Sequence, residues 1–236
     1  MGAEVMAMRR ITLSLAGSAM AGYAALQVLG RRAGSTSAER RAALPGDKLV
    51  RSPQMTMNHA ATIEAPAERI WPWLTQLGWH RAGWYTPRWV DRLLFPDNWP
   101  SLDRLDPRLV RDLCVGDSIP DGRPGTAEYI VDRVERPHVL VLRSTTHVPP
   151  GWDARYGARF SWTWCFRLTE LPDDGRTRVH LRVRGRGAPW WFIALYVAAL
   201  IPADYVMSTG MLRGLRERAE GSQAPQDSGR AVTHGS

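Results

Sequence analysis

The residues best suited to chemistry lie in Gly78–Tyr85, GWHRAGWY. His80 is the side-chain type that titrates near neutrality, so it could give or take a proton. Arg81 beside it could meet a polar head group. The alternative is a solvated loop pair, with Trp84 and Tyr85 packing as ordinary core. The other titratable candidates, Asp91, Asp117, Glu128, His138 and His147, stand apart, and none is paired at a spacing that implies chemistry. No nucleophile elbow, Ser-His-Asp order, phosphate-binding loop or dinucleotide fingerprint occurs. Cys114 and Cys165 form no CxxC and no Cys/His ligand spacing. No metal or other cofactor is expected, and both cysteines read as free thiols, a single disulfide being the other option.

These residues need elements to position them. Arg159–Leu171 alternates cleanly: Phe160, Trp162, Trp164, Phe166 and Leu168 share one face of a strand, opposite Ser161, Thr163, Cys165 and Arg167. Thr177–Arg186 alternates again, with Val179, Leu181 and Val183 opposed to Arg178, His180, Arg182 and Arg184. Pro172-Asp173-Asp174-Gly175 joins them as a hairpin turn. Met55–Glu64, Gly116–Pro120, Thr126–Glu135 and His138–His147 complete the expected strands. Ile70, Trp73, Leu74 and Leu77 fall on one face of a helix opened near Pro66, with Pro72 as a kink and Gly78 as a stop. Pro87–Phe95 is a second short helix. Pro189–Glu220 is a long one, broken or kinked at Pro202.

The chain has 236 residues, a net charge of +8 and eleven Trp residues. Trp favours cavity walls, interfaces and membrane boundaries. Lys48 is the single lysine, so the positive charge is almost all Arg. With abundant Ala, Gly and Pro this reads as a compositional habit more than a nucleic-acid signature, and no nucleic-acid motif accompanies it. The Arg178–Arg186 stripe is either a solvated outer face or a contact for anionic lipid head groups.

Ile11–Gly30 carries no charge and lies between Arg9-Arg10 and Arg31-Arg32. Its length is about that of a membrane-spanning helix. It reads as a membrane anchor, with a cleaved signal or a leader ahead of a later start at Met55 or Met57 as the alternatives. More basic residues lie close after the run than before it, which places the domain in the cytoplasm. Trp190–Ile201 is the most apolar run, too short to span alone, and Asp204 interrupts its continuation. It reads as a buried helix or as a segment dipping into a membrane.

IEAPAERIWPWLTQLGWHRAGWY (Ile63–Tyr85) and MLRGLRERAE (Met211–Glu220), with VGDSIP between them, resemble the START/polyketide-cyclase (SRPBCC) superfamily. The resemblance covers residues 54–220. It implies an α+β helix-grip fold: a curved antiparallel sheet packed on a long C-terminal helix, with an apolar cavity between them. Residues 1–33 form an apolar segment outside that domain, 34–53 a linker, and 221–236 a disordered tail. The expected ligand is a hydrophobic small molecule or lipid. The cavity would be lined by Trp84, Phe160, Trp162, Trp164, Leu181, Val197 and Ile201, with His80 and Arg81 at its mouth. The rival implication is a polyketide cyclase/dehydratase-like enzyme using the same cavity; the resemblance implies no particular catalytic residue.

Overall fold

A computed structural model describes residues 2–172 and 175–221. The two central residues of the expected turn at 172–175, and the tail from 222 onward, lie outside the described residues. In chain order the elements are α1 (Gly2–Arg32), α2 (Ser37–Arg41), β1 (Met55–Ile63), α3 (Ala67–Thr75) and α4 (Arg88–Leu94). Then come β2 (Ser118–Pro120), β3 (Glu128–Glu135), β4 (Val139–Ser144), α5 (Trp152–Tyr156), β5 (Arg159–Glu170), β6 (Thr177–Ala188) and α6 (Trp190–Gly221). The class is α+β: one open six-stranded sheet, ordered β1-β6-β5-β4-β3-β2 with every neighbour antiparallel, packed on α6.

The alternation in β5 and β6 sets the faces. Trp164 pairs with Val183, Phe166 with Leu181 and Leu168 with Val179, and all six are buried on the inner face. Ile70, Trp71, Trp73 and Leu74 bury α3 into the same core. That helix ends at Thr75, ahead of Gly78. The second half of α6 buries Met211, Leu212, Leu215 and Ala219. It lies so close to the chain before α4 that a Cβ on Gly214 would sit 2.1 Å from the Tyr85 carbonyl oxygen. α6 runs unbroken through Pro202. Its first half is only partly covered: Phe192 and Ile193 are buried, but Trp190 is 78% exposed and Leu195 50%.

The stretch 34–53, expected as a linker, is instead packed across the outer face of the sheet. Thr36 caps α2 with a reciprocal bond to Glu39. Glu39 receives Arg178 at 2.7 Å, and Asp47 receives Arg182 at 2.8 Å and Arg184 at 2.9 Å. Of the Arg178–Arg186 stripe, Arg178, Arg182 and Arg184 are therefore engaged by this segment and not free to meet lipid, while Arg186 stays exposed. Leu44 covers Val139, Val141 and Cys165 on that face. Gly46, at φ 85°, passes so near that a Cβ would lie 2.6 Å from Val141 Cγ1. The reason for the departure is charge: a sheet face carrying three arginines needs acidic partners, and this segment supplies them.

The N-terminal segment is also not separate from the domain. The last third of α1 rests on α6: Tyr23 Oη donates to the Ala198 carbonyl at 2.9 Å and Gln27 Nε2 to that of Val197 at 3.1 Å. Leu13, Leu15 and Met20 are exposed. Cys114 and Cys165 are free; burial pushes the Cys165 thiol up to about 12.

Candidate functional site: an aromatic cavity between sheet and helix

A cavity of about 1240 Å³ lies between the inner face of the sheet and the first half of α6, roofed by the β4–β5 connection that contains α5. α5 was not expected from the sequence; it sits between Gly151 (φ 77°) and Gly157 (φ 63°), two positions a side chain would strain. On the sheet side the walls are Trp84, Phe160, Trp162 and Trp164. These rings touch one another: Trp84 and Trp164 are 5.3 Å apart, Phe160 and Trp162 5.3 Å. On the helix side Leu195, Ala199, Ala203 and Met207 form one stripe at intervals of four. Large rings opposite alanines leave the void.

Of the polar groups on the wall, His147 was among the titratable residues singled out from the sequence, but the pairings were not visible there. His147, at the end of the β4 connection, bonds Asp121 Oδ2 through Nε2 at 2.8 Å and Ser144 Oγ through Nδ1 at 2.8 Å. Burial raises the Asp121 carboxyl above its ordinary range, while His147 beside it pulls the other way. Tyr129 lies tilted against His147, with ring centroids 4.7 Å apart. Burial, and the nearby carboxylates of Asp121 and Asp204, hold its phenol far above the usual value. On the opposite side Asp204 of α6 meets the fully buried His59 of β1 at 2.7 Å and accepts from Ser208 Oγ at 3.0 Å. Asp121, Tyr129, His147 and Asp204 all line the cavity. Tyr196 Oη donates to the His147 carbonyl at 3.0 Å, tying α6 to the roof.

The Asp121–His147–Ser144 distances resemble a hydrolase relay, but Ser144 is buried and does not line the cavity. It orients the imidazole and is not placed as a nucleophile. What the arrangement can do is bury an apolar body and offer it a few polar contacts, with His147 and the two carboxyls able to hold or pass a proton. Among the described residues no cluster of His, Cys, Asp and Glu could hold a metal ion.

The expected lining residues divide. Trp84, Phe160, Trp162 and Trp164 line the cavity. Leu181, Val197 and Ile201 do not. Leu181 is sealed in the core, in register between Phe166 and His59. Val197 and Ile201 share a helix face, but that face turns to α1: Ile201 abuts Gly30. Nor do His80 and Arg81 lie at the mouth. His80 is exposed, stacked on Trp99 at 4.8 Å, with Nε2 against the Asp97 carbonyl at 3.0 Å. Arg81 donates to the carbonyls of Thr75 (2.7 Å) and Leu109 (3.2 Å), so it fastens its own loop. Asp91 serves a local role, accepting from Thr86 and Ser101, and Glu128 accepts from Ser118. Asp117 caps the Cys114 amide at 3.0 Å. The two His–Asp pairs span 26 and 145 positions, so spacing could not announce them. The one available signal was Asp204 itself, a carboxylate set after the most apolar run, which requires a buried partner.

No protein-family model and no curated protein matches the sequence. Solved structures do resemble it in outline. One, a Mesorhizobium loti protein, is 16% identical over 72% of this chain and 100% of its own, with a TM-score of 0.40. A hypothetical protein from Helicobacter pylori is 12% identical over 75% of this chain and 95% of its own, TM-score 0.44. DynU16, described as belonging to the dynemicin biosynthetic locus, is 16% identical over 72% of this chain and 49% of its own, TM-score 0.39.

Proposed function

We propose that this chain is a START/polyketide-cyclase-like domain that binds a hydrophobic small molecule or lipid in the cavity beneath α6. We propose too that α1 tethers it to a membrane with the domain on the cytoplasmic side. The observation that carries the reading is the cavity: about 1240 Å³, walled by indoles and alanines, with a few polar groups converging on it. Ligand sites usually fall at roughly 300–1,000 Å³, so this one has room for a body of lipid or polycyclic size. The tether rests on α1, whose Leu13–Arg32 stretch is apolar and 6% buried. Native mass spectrometry of the full-length protein after incubation with a cell lipid extract tests the binding. A stoichiometric adduct is expected, and it should disappear when Ala199→Trp and Ala203→Trp fill the stripe facing the indoles. No adduct with either protein would leave a protein-interaction module as the better account.

A second reading, a cyclase or dehydratase-like enzyme, is favoured by one specific feature, the His147–Asp121 pair on the cavity wall. Orientation of a flexible substrate by the pocket would supply most of the acceleration, and His147 the proton transfer. On this reading His147→Gln abolishes turnover of a linear poly-β-keto thioester and leaves binding intact. A wild-type protein that leaves such a substrate unchanged removes the reading.

A further inference from the structure

The cavity opens at the surface, and the position of its opening carries information. Lining residues that are also exposed include Pro150, Asp153, Arg159, Ser161, Leu195 and Ala199. They place the mouth between the β4–β5 connection and the first half of α6, and the exposed lining residues Gly125 and Thr126 extend it to the β2–β3 loop. Around that mouth the surface is unusually apolar and aromatic. Trp190 is 78% exposed, Leu195 50%, Tyr156 43% and Trp191 36%. Trp191 packs on Tyr156 and Trp152, which joins this end of α6 to α5. Arg155, over the Tyr156 ring, and the exposed Arg159 and Arg186 flank it. Exposed indoles beside arginines are the composition of a bilayer interface, where the ring body is apolar and the head groups anionic.

The direction of α1 selects the occupant. Its contacts with α6 fall between Tyr23 and Gly30. Gly30 meets Ile201, while Gln27 and Tyr23, farther toward the N-terminus, meet Val197 and Ala198. Moving back along α1 thus means moving back along α6, and the N-terminal halves of both helices run out the same way. Between residues 13 and 22 α1 is bare: Leu13, Leu15 and Met20 are 64–73% exposed, and a Cβ on Gly17 or Gly22 would meet nothing within 4 Å. The apolar helix and the aromatic mouth therefore face the same side of the domain. A protein partner would have to match both features; a lipid bilayer does so without further assumption.

We propose that the Trp190–Leu195 end of α6, with Tyr156 and the flanking arginines, lies against the membrane that holds α1, so that the cavity mouth opens onto the lipid surface. This rests on the reading of the cavity as a site for a hydrophobic ligand and adds the route by which the ligand enters. The full chain, with the exposed thiol removed by Cys114→Ser, is labelled with the fluorophore NBD at Trp190→Cys, Leu195→Cys or Val115→Cys. Val115 is 70% exposed in the loop before β2, the strand at one sheet edge. All three sites are exposed, so folding is not at stake at any of them, and the buried Cys165 thiol stays unlabelled. Each protein is reconstituted into vesicles of phosphatidylcholine with phosphatidylglycerol and floated on a density gradient. The expected result is a blue shift, with quenching by brominated lipid, at 190 and 195 and not at 115. Spectra at 190 and 195 matching that at 115, failure to float, or a shift already present without vesicles, which marks self-association, overturns the proposal. Titration of the detergent-solubilised chain with a dansyl-labelled lipid separates the two layers. Binding without the membrane shift ends the docking proposal alone; the shift without binding ends the ligand reading alone.

Discussion

The two faces of the sheet are both covered, but by opposite means. Outside, residues 36–50 lie on the strands through ion pairs and carbonyl contacts. Arg182, 5% exposed, donates to Asn58 and Asp47 and to the carbonyls of Ala42, Glu39 and Arg40. Inside, the cover is a helix, and the contacts are between rings and small aliphatic groups. Directional polar bonds demand contact distance, so the outer layer is drawn directly onto the strands. Dispersion between large rigid rings and an alanine stripe sets no such demand, and a void of about 1240 Å³ persists. A side chain is thus most costly to lose where it is bonded on all sides. It is cheapest to change where it faces the void.

The largest effect should come from Arg182→Ala. It strands three carbonyls beneath the strap of residues 36–50 and takes one partner each from Asp47 and Asn58, which keep Arg184 and His180, and breaking a buried pair of this kind costs about 3–5 kcal/mol. Urea denaturation should show that loss, and limited proteolysis should now cut between residues 36 and 53. Unchanged stability would mean that the strap holds by Leu44 alone. Next in size is Asp204→Leu, which leaves His59 buried without its partner at a cost of about 3 kcal/mol. Adding His59→Leu should recover most of it, because two apolar groups replace the pair. If the double variant is as unstable as the single one, the pair is not an isolated unit. Ala199→Trp, facing the void, should shift stability by less than about 1 kcal/mol while removing ligand binding. A loss of several kcal/mol there would mean that the cavity is not open space.

A separate effect is one of pH and belongs to the outer face. Burial, and then the charge of Arg182, lowers the His180 imidazole to about 4. A base whose folded value lies below its unfolded one is more readily protonated when unfolded. Its contribution is present above about 6.5 and is lost as pH falls toward about 4. Glu39, held down to about 2 chiefly by its bond to Arg178, adds a further loss as pH falls below its ordinary value of 4.5. Melting temperature should therefore fall between pH 6.5 and 4 in the wild type and fall less in His180→Gln. Equal slopes would show that the outer face does not sense pH through this residue.

The composition and order of the elements could be read from the chain. Alternation placed Phe160, Trp162 and Trp164 on one face of β5, and the helical spacing of Ile70, Trp73 and Leu74 identified α3 and its buried side. These are local periodicities, set by backbone geometry, and they survive folding. Partnership is different. His147 with Asp121, His59 with Asp204, and Arg182 with Asp47 are brought together only when distant strands, loops and helices pack. The same holds for which face of α6 meets the cavity. Val197 and Ile201 satisfy the helical period as well as Ala199 and Ala203 do, and it is the docking of α1 that turns them away. The sequence by itself determined the strands, the helices and the aromatic face. The tertiary structure alone decided which polar groups meet, that the 34–53 stretch is a strap, and where the void opens, because these depend on contacts between residues that no period connects.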